Sequence, residues 1–136
     1  MPTVLVVDDS ATDRGLAGGL LAKDDDTTVT FASNGREAMT SVESARPDVI
    51  VCDLQMPEMN GLELVELMRQ NYPSVPVILM TAHGSEEIAS EALRKGAAGY
   101  VPKVALGQNL RPAVRRLMAD AEADRLHSRL MHSLMQ

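Results

Sequence analysis

The chain has 136 residues, of which 45% are hydrophobic and 24% charged, a composition typical of one globular domain. Its one cysteine excludes an internal disulfide framework and a cysteine-rich zinc site, and its net charge of −6 disfavours binding to nucleic acid or anionic membrane. No apolar run reaches the roughly 18–20 residues of a membrane span, and the N-terminus is not a secretory signal, so a cytoplasmic protein is expected.

Short apolar runs alternate with helical patterns five times along the chain. We predict strands, each followed by a helix, at 4–7, 28–32, 49–52, 75–80 and 98–101. The run at 49–52 is continuously apolar, which is typical of a strand buried on both faces. Such an alternation predicts an α/β fold with a parallel sheet, helices on both faces and right-handed crossovers.

The first helix has two candidate caps and a candidate buried face. Ser10 or Thr12 is expected to cap it, because both offer a side-chain oxygen to the free N–H groups of the first turn. Leu16, Leu20 and Leu21 are expected to form its apolar face.

The later helices carry boundary signals of their own. The fourth helix is predicted to begin at Ser85 and to end before Gly96, which would adopt the left-handed conformation. The last helix is predicted to begin after Asn109, with Pro112 in its first turn. It meets no further helix breaker before about Leu134.

Polar side chains stand where the predicted strands end. In chain order they are Asp8, Asp9, Asp53, Thr81 and Lys103. Ligands bind outside the carboxyl ends of the strands in sheets of this type, so these side chains are expected to converge at one edge.

A cluster of three carboxylates, a hydroxyl and an ammonium group limits the chemistry of the site. The carboxylates repel one another unless a cation joins them, and oxygen ligands suit Mg²⁺, with Mn²⁺ as an alternative, better than zinc. A carboxylate can act as a nucleophile toward a phosphoryl group while the hydroxyl and the lysine hold the other phosphoryl oxygens. The strand ends therefore indicate metal-assisted phosphoryl transfer.

Four segments resemble, in this order, the receiver domain of bacterial two-component response regulators: VLVVDDS, VIVCDLQMPEMNG, VILMTAHG and GYVPK. The resemblance covers about residues 3–120. It implies a receiver domain at 1–120 and, at 121–136, a helical extension or a linker to an output domain. The implied fold is a flavodoxin-like (βα)5 three-layer sandwich with a parallel five-stranded sheet of order 2-1-3-4-5 and an extended C-terminal helix.

The resemblance also implies a role for each matching residue of the acidic site. Asp53 would be the phosphoacceptor and a metal ligand, Asp9 would bind Mg²⁺ directly, and Asp8 would bind it directly or through water. The backbone carbonyl of Gln55 would complete the protein ligands. Lys103 would bind the phosphoryl group.

A second group of residues would sense or tune the phosphoryl group. Thr81 would be the switch hydroxyl, and Tyr100 would be the aromatic side chain that changes rotamer when Thr81 moves; simple packing of Tyr100 on the last strand is the alternative. The backbone N–H of Ala82 would face the phosphoryl group. Gln55 and His83 would border the site and tune phosphoryl lifetime, with His83 altering the access of water.

The loop after the fifth strand departs from the family pattern. Family members often have a proline after the lysine, joined by a cis peptide bond, whereas Val104 follows Lys103 here. A cis bond before a non-proline residue costs about 2.5–4 kcal/mol. The sequence therefore leaves the isomer of the Lys103–Val104 bond open.

The C-terminal extension keeps an apolar stripe at Leu126, Leu130 and Leu134. The stripe is expected to belong to a linker that leads to an output domain or to a coiled-coil partner, a homodimer included, and a frayed tail is the alternative. The pattern continues almost to Gln136, which suggests a piece of a longer protein.

Together these features indicate a phosphorylation-dependent signalling switch rather than a metabolic enzyme. The resemblance implies that a histidine kinase or phosphotransfer protein supplies the phosphoryl group. The face formed by the fourth helix, fifth strand and fifth helix would then change its preference for an output domain or protein partner.

Two rival functions are disfavoured. A phosphatase of the haloacid dehalogenase type typically has a second aspartate two residues after the nucleophile, where this chain has Gln55. A flavodoxin-type electron carrier is disfavoured by the absence of tryptophan and of a Ser/Thr-rich phosphate loop after the first strand.

Overall fold

The computed structural model describes residues 2–82 and 84–136, in which strands and helices alternate as predicted. The strands are β1 Thr3–Val7, β2 Thr28–Ala32, β3 Val49–Asp53, β4 Val77–Thr81 and β5 Gly99–Pro102. The α-helices are α1 Ala11–Leu21, α2 Gly35–Ser44, α3 Gly61–Asn71, α4 Glu86–Arg94 and α5 Leu106–Leu134. A 3₁₀ turn, Lys103–Ala105, joins β5 to α5.

The five strands form one parallel sheet in the order β2-β1-β3-β4-β5. The flavodoxin-like order is thus confirmed. Val7, the last residue of β1, pairs with Cys52 of β3, so the residues that follow these two positions emerge side by side at the carboxyl edge.

Alternating side chains of the strands pack into two cores, one on each face of the sheet. Leu5 of β1 joins the core that α2, α3 and α4 cover, where it meets Leu64 of α3. Val6 joins the opposite core, which α1 and α5 cover, with Leu110 of α5. All four side chains are fully buried, so the three-layer arrangement excludes water from both faces of the central strands.

Polar caps fix where the helices begin and end. Ser10, not Thr12, caps α1 by accepting a hydrogen bond from a backbone N–H of the first turn, and Ser85 caps α4 as predicted. Asn60 forms a reciprocal capping box at the start of α3. Gly96 has a φ of +110°, which confirms the predicted left-handed end of α4.

The predicted apolar face of α1 is wrong at one position. Leu16 is 59% exposed, whereas Leu21 is buried and Leu20 is half-buried. The helix packs on the sheet through Ala17 and Leu21, which are four residues apart and share one side of the helix. Leu16 precedes Ala17 by about 100° around the helix and therefore points toward solvent.

The predicted start of the last helix is also wrong. α5 begins at Leu106, directly after the 3₁₀ turn and without a side-chain cap, so Asn109 lies inside the helix. Pro112 lies inside it as well and removes the hydrogen bond to the carbonyl of Gln108. Gln108 is exposed, and water can satisfy that carbonyl.

The last helix extends past the globular part of the chain. Leu106, Leu110 and Val114 are buried against the sheet, and every residue after Ala121 is exposed. A helix of 29 residues is about 44 Å long at 1.5 Å per residue. Each helix in the described part of the chain is too short or too polar to cross a bilayer.

Candidate functional site

Three carboxylates meet at the carboxyl edge of the sheet, as the strand ends predict. Asp8 follows β1 and is fully buried, Asp53 ends β3 and is 5% exposed, and Asp9 faces solvent. One oxygen from each of the three lies within 4.8 Å of the other two. The parallel pairing of β1 with β3 holds Asp8 and Asp53 together, so the cluster follows directly from the topology.

Lys103 reaches the acidic cluster from the turn after β5. Its Nζ atom lies 3.0 Å from Asp8 Oδ2 and 3.5 Å from Asp53 Oδ1. The peptide bond between Lys103 and Val104 is trans. The lysine therefore reaches the site without the cis bond that is common in receiver domains. The structure therefore brings this predicted residue into the site.

Asp13 also contacts the lysine, and the sequence did not single it out. Its Oδ2 atom lies 2.7 Å from Lys103 Nζ, in the shortest of the contacts that this lysine makes with carboxylates of the described residues. An acid in the first turn of a helix is ordinarily explained by the helix dipole. The sequence offered one indication of this contact. Asp13 lies about one helical turn after Ser10, on the helix that follows the end of the first strand.

Backbone and side-chain hydrogen bonds fix the orientation of the two buried carboxylates. The Ser10 N–H donates to Asp8 Oδ1 over 2.9 Å, and Arg14 Nη1 donates to the Asp8 carbonyl over 2.8 Å. The Gln55 N–H donates to Asp53 Oδ1 over 3.4 Å. One oxygen of each buried carboxylate is thereby held by a backbone N–H group.

Burial and like charge make the pKa of Asp53 unusual. Burial raises this pKa and the neighbouring Asp8 raises it further, whereas Lys103 and the Gln55 N–H lower it. The net result is a rise from 3.8 to about 6. The lysine alone thus does not neutralise the cluster, and an added cation would stabilise it.

Lys103 stays protonated although its side chain is partly buried. Burial disfavours its ammonium form, but hydrogen bonds to Asp13 and Asp8 outweigh that cost and raise its pKa further above the usual value. The lysine therefore presents a permanent positive charge to any phosphoryl group at Asp53.

The donor set fits a hard divalent ion. Two buried carboxylates and one exposed carboxylate offer oxygen atoms only, within a span that one ion can bridge. Oxygen ligands with room for water suit Mg²⁺ or Mn²⁺. Gln55 is exposed beside the cluster, where its backbone carbonyl is the further candidate ligand.

The expected sensing residues lie on the neighbouring strands. Thr81 ends β4 and is 1% exposed, and Ala82 follows it at the surface. The Tyr100 hydroxyl is buried without a hydrogen-bond partner among the described residues. It lies against Gly84, where an added Cβ would also meet the Thr81 methyl group. His83 lies outside the described residues.

Comparisons with known proteins agree with this geometry. The family model for the response regulator receiver domain matches residues 4–115. The DNA-binding transcriptional regulator NtrC of Salmonella typhimurium is 41% identical over 100 residues, which cover 74% of this chain and 21% of NtrC. A protein-glutamate methylesterase/protein-glutamine glutaminase of Nocardioides sp. is 43% identical over 106 residues, which cover 75% of this chain and 29% of the relative.

A solved structure shares the fold as well. The chemotaxis protein CheY4 of Vibrio cholerae superposes with a TM-score of 0.78 at 34% identity, over 86% of this chain and 98% of CheY4. By contrast, the present chain spans only about a fifth of NtrC. The family match covers most of the chain, and the chain therefore belongs to the response regulator receiver domain family.

Proposed function

We propose that this receiver domain is a Mg²⁺-dependent phosphoacceptor switch of a two-component phosphorelay, with Asp53 as the phosphoacceptor. The observation that carries the proposal is the meeting of three carboxylates with Lys103 at one sheet edge. A histidine kinase or a phosphotransfer protein is the proposed donor, as membership of the family implies.

Phosphoryl transfer needs Asp53 in its ionised form. One Asp53 oxygen forms a bond to phosphorus while the bond from phosphorus to the donor nitrogen breaks, and that nitrogen keeps the electron pair. With a pKa of about 6, most of Asp53 is ionised at neutral pH even before a metal binds. A bound Mg²⁺, held by Asp8, Asp9, Asp53 and the Gln55 carbonyl, would offset the charge of the incoming phosphoryl oxygens.

The residues around Asp53 are proposed to hold the product. Lys103 binds one phosphoryl oxygen, which replaces its present 3.5 Å contact with Asp53, while Asp13 and Asp8 keep its position. The Thr81 hydroxyl and the Ala82 N–H bind others. These contacts strengthen as charge develops, so the site acts by positioning and electrostatics.

The phosphoryl group is proposed to shift a pre-existing conformational equilibrium. Thr81 moves toward the phosphoryl group, and Tyr100 turns into the space that this movement opens. The Tyr100 hydroxyl and the Thr81 methyl group both lie beside the position that a Cβ on Gly84 would occupy, and this shared neighbourhood supports the coupling. The surface of α4, β5 and α5 then favours a different partner, provided that the phosphorylated site fits the active state better.

The lifetime of the phosphoryl group is proposed to depend on Gln55 and His83. In the sequence each lies two positions after a strand-end residue, and His83 would alter the access of water. Equal decay of phosphorylated wild type and His83→Ala would remove this role.

The proposed domain boundary places the receiver at 1–120 and a helical linker at 121–136. An output domain or a separate protein is proposed to read the switch in the cytoplasm. The relative NtrC is named a DNA-binding transcriptional regulator, and this chain matches 21% of it. The acidic receiver itself is not proposed to bind nucleic acid or membrane. The match to the methylesterase covers 29% of that protein and carries no esterase activity to this chain.

Incubation with acetyl phosphate, followed by intact mass, tests the phosphoacceptor. We expect one added phosphoryl group in the presence of Mg²⁺ and none with EDTA or in Asp53→Asn. Asp25→Asn, which changes an exposed carboxylate of the α1–β2 turn, is the matched control and should be labelled like the wild type. Unchanged labelling of Asp53→Asn would overturn the assignment, and rapid turnover of small phosphate esters would favour a phosphatase.

A further inference from the structure

Asp13 brings a further carboxylate to the site, outside the set that fits a metal ion. Its Oδ2 atom lies 2.7 Å from Lys103 Nζ. The nearest oxygens of Asp8 and Asp53 lie farther from the same nitrogen atom, at 3.0 and 3.5 Å. Among the described residues, the carboxylates whose oxygens all lie within 4.8 Å of one another are those of Asp8, Asp9 and Asp53. Asp13 therefore adds negative charge to the site without being one of the candidate metal ligands.

The cap of α1 holds Asp13 in this position. The Asp13 N–H donates to Ser10 Oγ over 3.2 Å, and the Ser10 N–H donates to Asp8 Oδ1 over 2.9 Å. A single capping residue thus orients both carboxylates that hold the lysine. In the part of the chain that the structure describes, Lys103 is the one cation that forms an ion pair with Asp13, so the charge of Asp13 acts mainly on this lysine.

The contacts of Lys103 limit the positive charge that it offers to a phosphoryl group. Two of its N–H groups already donate to Asp13 and Asp8. The Asp13 and Asp53 oxygens contact the same nitrogen atom, at 2.7 and 3.5 Å, so they lie at most about 6 Å apart. A negative charge at this distance from the acceptor repels an anionic donor, and a partly buried site screens that repulsion less than bulk water does.

We propose that Asp13 is a specificity-determining residue, which acts through Lys103 to make the site less reactive toward dianionic phosphoryl donors than toward donors of lower charge. The proposal rests on the proposed phosphoacceptor role of Asp53. The repulsion from an added negative charge grows in proportion to the charge of the donor. A phosphoryl group on a nitrogen that carries a proton is thereby favoured over an acyl phosphate.

Acetyl phosphate and phosphoramidate are suitable probes of this preference. Near neutral pH acetyl phosphate is a dianion, whereas phosphoramidate carries a protonated nitrogen and is a monoanion. In both reactions an Asp53 oxygen forms a bond to phosphorus. The P–O bond to acetate breaks in one reaction and the P–N bond breaks in the other, and the departing acetate or ammonia keeps the electron pair.

The rates at which the two donors phosphorylate the full chain, followed by intact mass in saturating Mg²⁺ at low ionic strength, test the proposal. Asp13→Asn removes the charge but keeps the size of the side chain and an oxygen that can accept from Lys103. We expect it to raise the ratio of the acetyl phosphate rate to the phosphoramidate rate roughly three- to tenfold above the wild-type ratio. Comparing ratios cancels the intrinsic difference in reactivity between the donors.

Two control variants separate the position of the charge from its amount. Asp25→Asn makes the same change in net charge at an exposed carboxylate of the α1–β2 turn, and its ratio of rates should match that of the wild type. Asp13→Glu keeps the charge, and its ratio should lie closer to that of the wild type than to that of Asp13→Asn. The difference between Asp13→Asn and the wild type should also shrink as salt is added, because salt screens charge.

Mg²⁺ binding, measured by calorimetry without a donor, distinguishes this effect of charge from a loss of structure. Asp13→Asn should bind Mg²⁺ several-fold more weakly, since a negative charge near the ion is lost. A variant in which Lys103 merely leaves the site would instead bind Mg²⁺ more tightly and react more slowly with both donors.

An unchanged ratio of rates in Asp13→Asn, or Mg²⁺ binding tighter than in the wild type, overturns the proposal. A wild type that accepts a phosphoryl group from neither donor would overturn the phosphoacceptor role of Asp53, and the role of Asp13 with it. The two failures are therefore distinguishable, because the first leaves the wild type phosphorylated.

Discussion

Asp53→Asn should stabilise the metal-free protein at neutral pH, although it removes the phosphoacceptor. Because burial and Asp8 raise the pKa of Asp53 from 3.8 to about 6, the ionised side chain opposes folding. The full shift corresponds to about 3 kcal/mol at 1.36 kcal/mol per pKa unit. Solvent at the open edge screens the charge, so we expect roughly half of that, about 1–2 kcal/mol.

The pH dependence of the free energy of unfolding shows the direction of this effect. A carboxyl with a raised folded-state pKa binds more protons in the folded than in the unfolded protein between pH 3.8 and about 6. The wild type therefore loses stability relative to Asp53→Asn as pH rises through this window, and the difference is complete above about pH 7. At pH 3.5 the two proteins should differ little.

Urea denaturation in EDTA, followed by circular dichroism from pH 3.5 to 8, measures this difference. Saturating Mg²⁺ should make the wild type more stable than Asp53→Asn. Binding at 100 times the dissociation constant adds about 2.7 kcal/mol to the free energy of unfolding of the wild type and less to that of the variant. Asp25→Asn, which changes an exposed carboxylate, is the matched control, and its free energy of unfolding should be close to that of the wild type. A variant that is less stable than the wild type at pH 8 in EDTA would refute the reasoning.

Four further substitutions test three separate features of the structure, each by urea denaturation. Lys103→Met should cost about 3 kcal/mol in EDTA because it leaves buried carboxylates without their cation, and added Mg²⁺ should recover part of the loss; no recovery would argue against metal binding there. Gly15→Ala should gain up to about 1 kcal/mol, whereas Gly18→Ala should gain less because its Cβ would lie 2.5 Å from Phe31 Cε1; equal gains would contradict the packing. Tyr100→Phe should raise stability by about 1 kcal/mol, since the hydroxyl is buried without a partner among the described residues, and a loss would indicate an additional partner.

The topology explains why the acidic site was predictable from the sequence. Once the apolar runs are assigned to parallel strands, the residues after β1, β3, β4 and β5 must emerge at the same edge. Asp8 and Asp53 are adjacent because their strands are neighbours in the sheet, not because of their spacing in the chain. The family resemblance added roles for these residues, whereas their convergence followed from the alternation alone.

The contacts between distant elements were not predictable. Asp13 contacts Lys103 across 90 residues, and no local pattern distinguishes it from an ordinary first-turn acid. Likewise, Asn109 is a good capping residue by type, but the 3₁₀ turn after β5 had already started the helix at Leu106. Leu16 is apolar yet exposed because α1 packs through the neighbouring Ala17.

Asp53, which lies beside the buried Asp8 and the exposed Asp9, is the side chain proposed to receive the phosphoryl group. Borohydride reduction of the acyl phosphate after reaction with acetyl phosphate and Mg²⁺, followed by peptide mass mapping, identifies the modified carboxyl group directly. We expect a reduced side chain at Asp53 and at no other acid. Reduction at Asp8, Asp9 or Asp13, or no reducible acyl phosphate in any peptide, would contradict it.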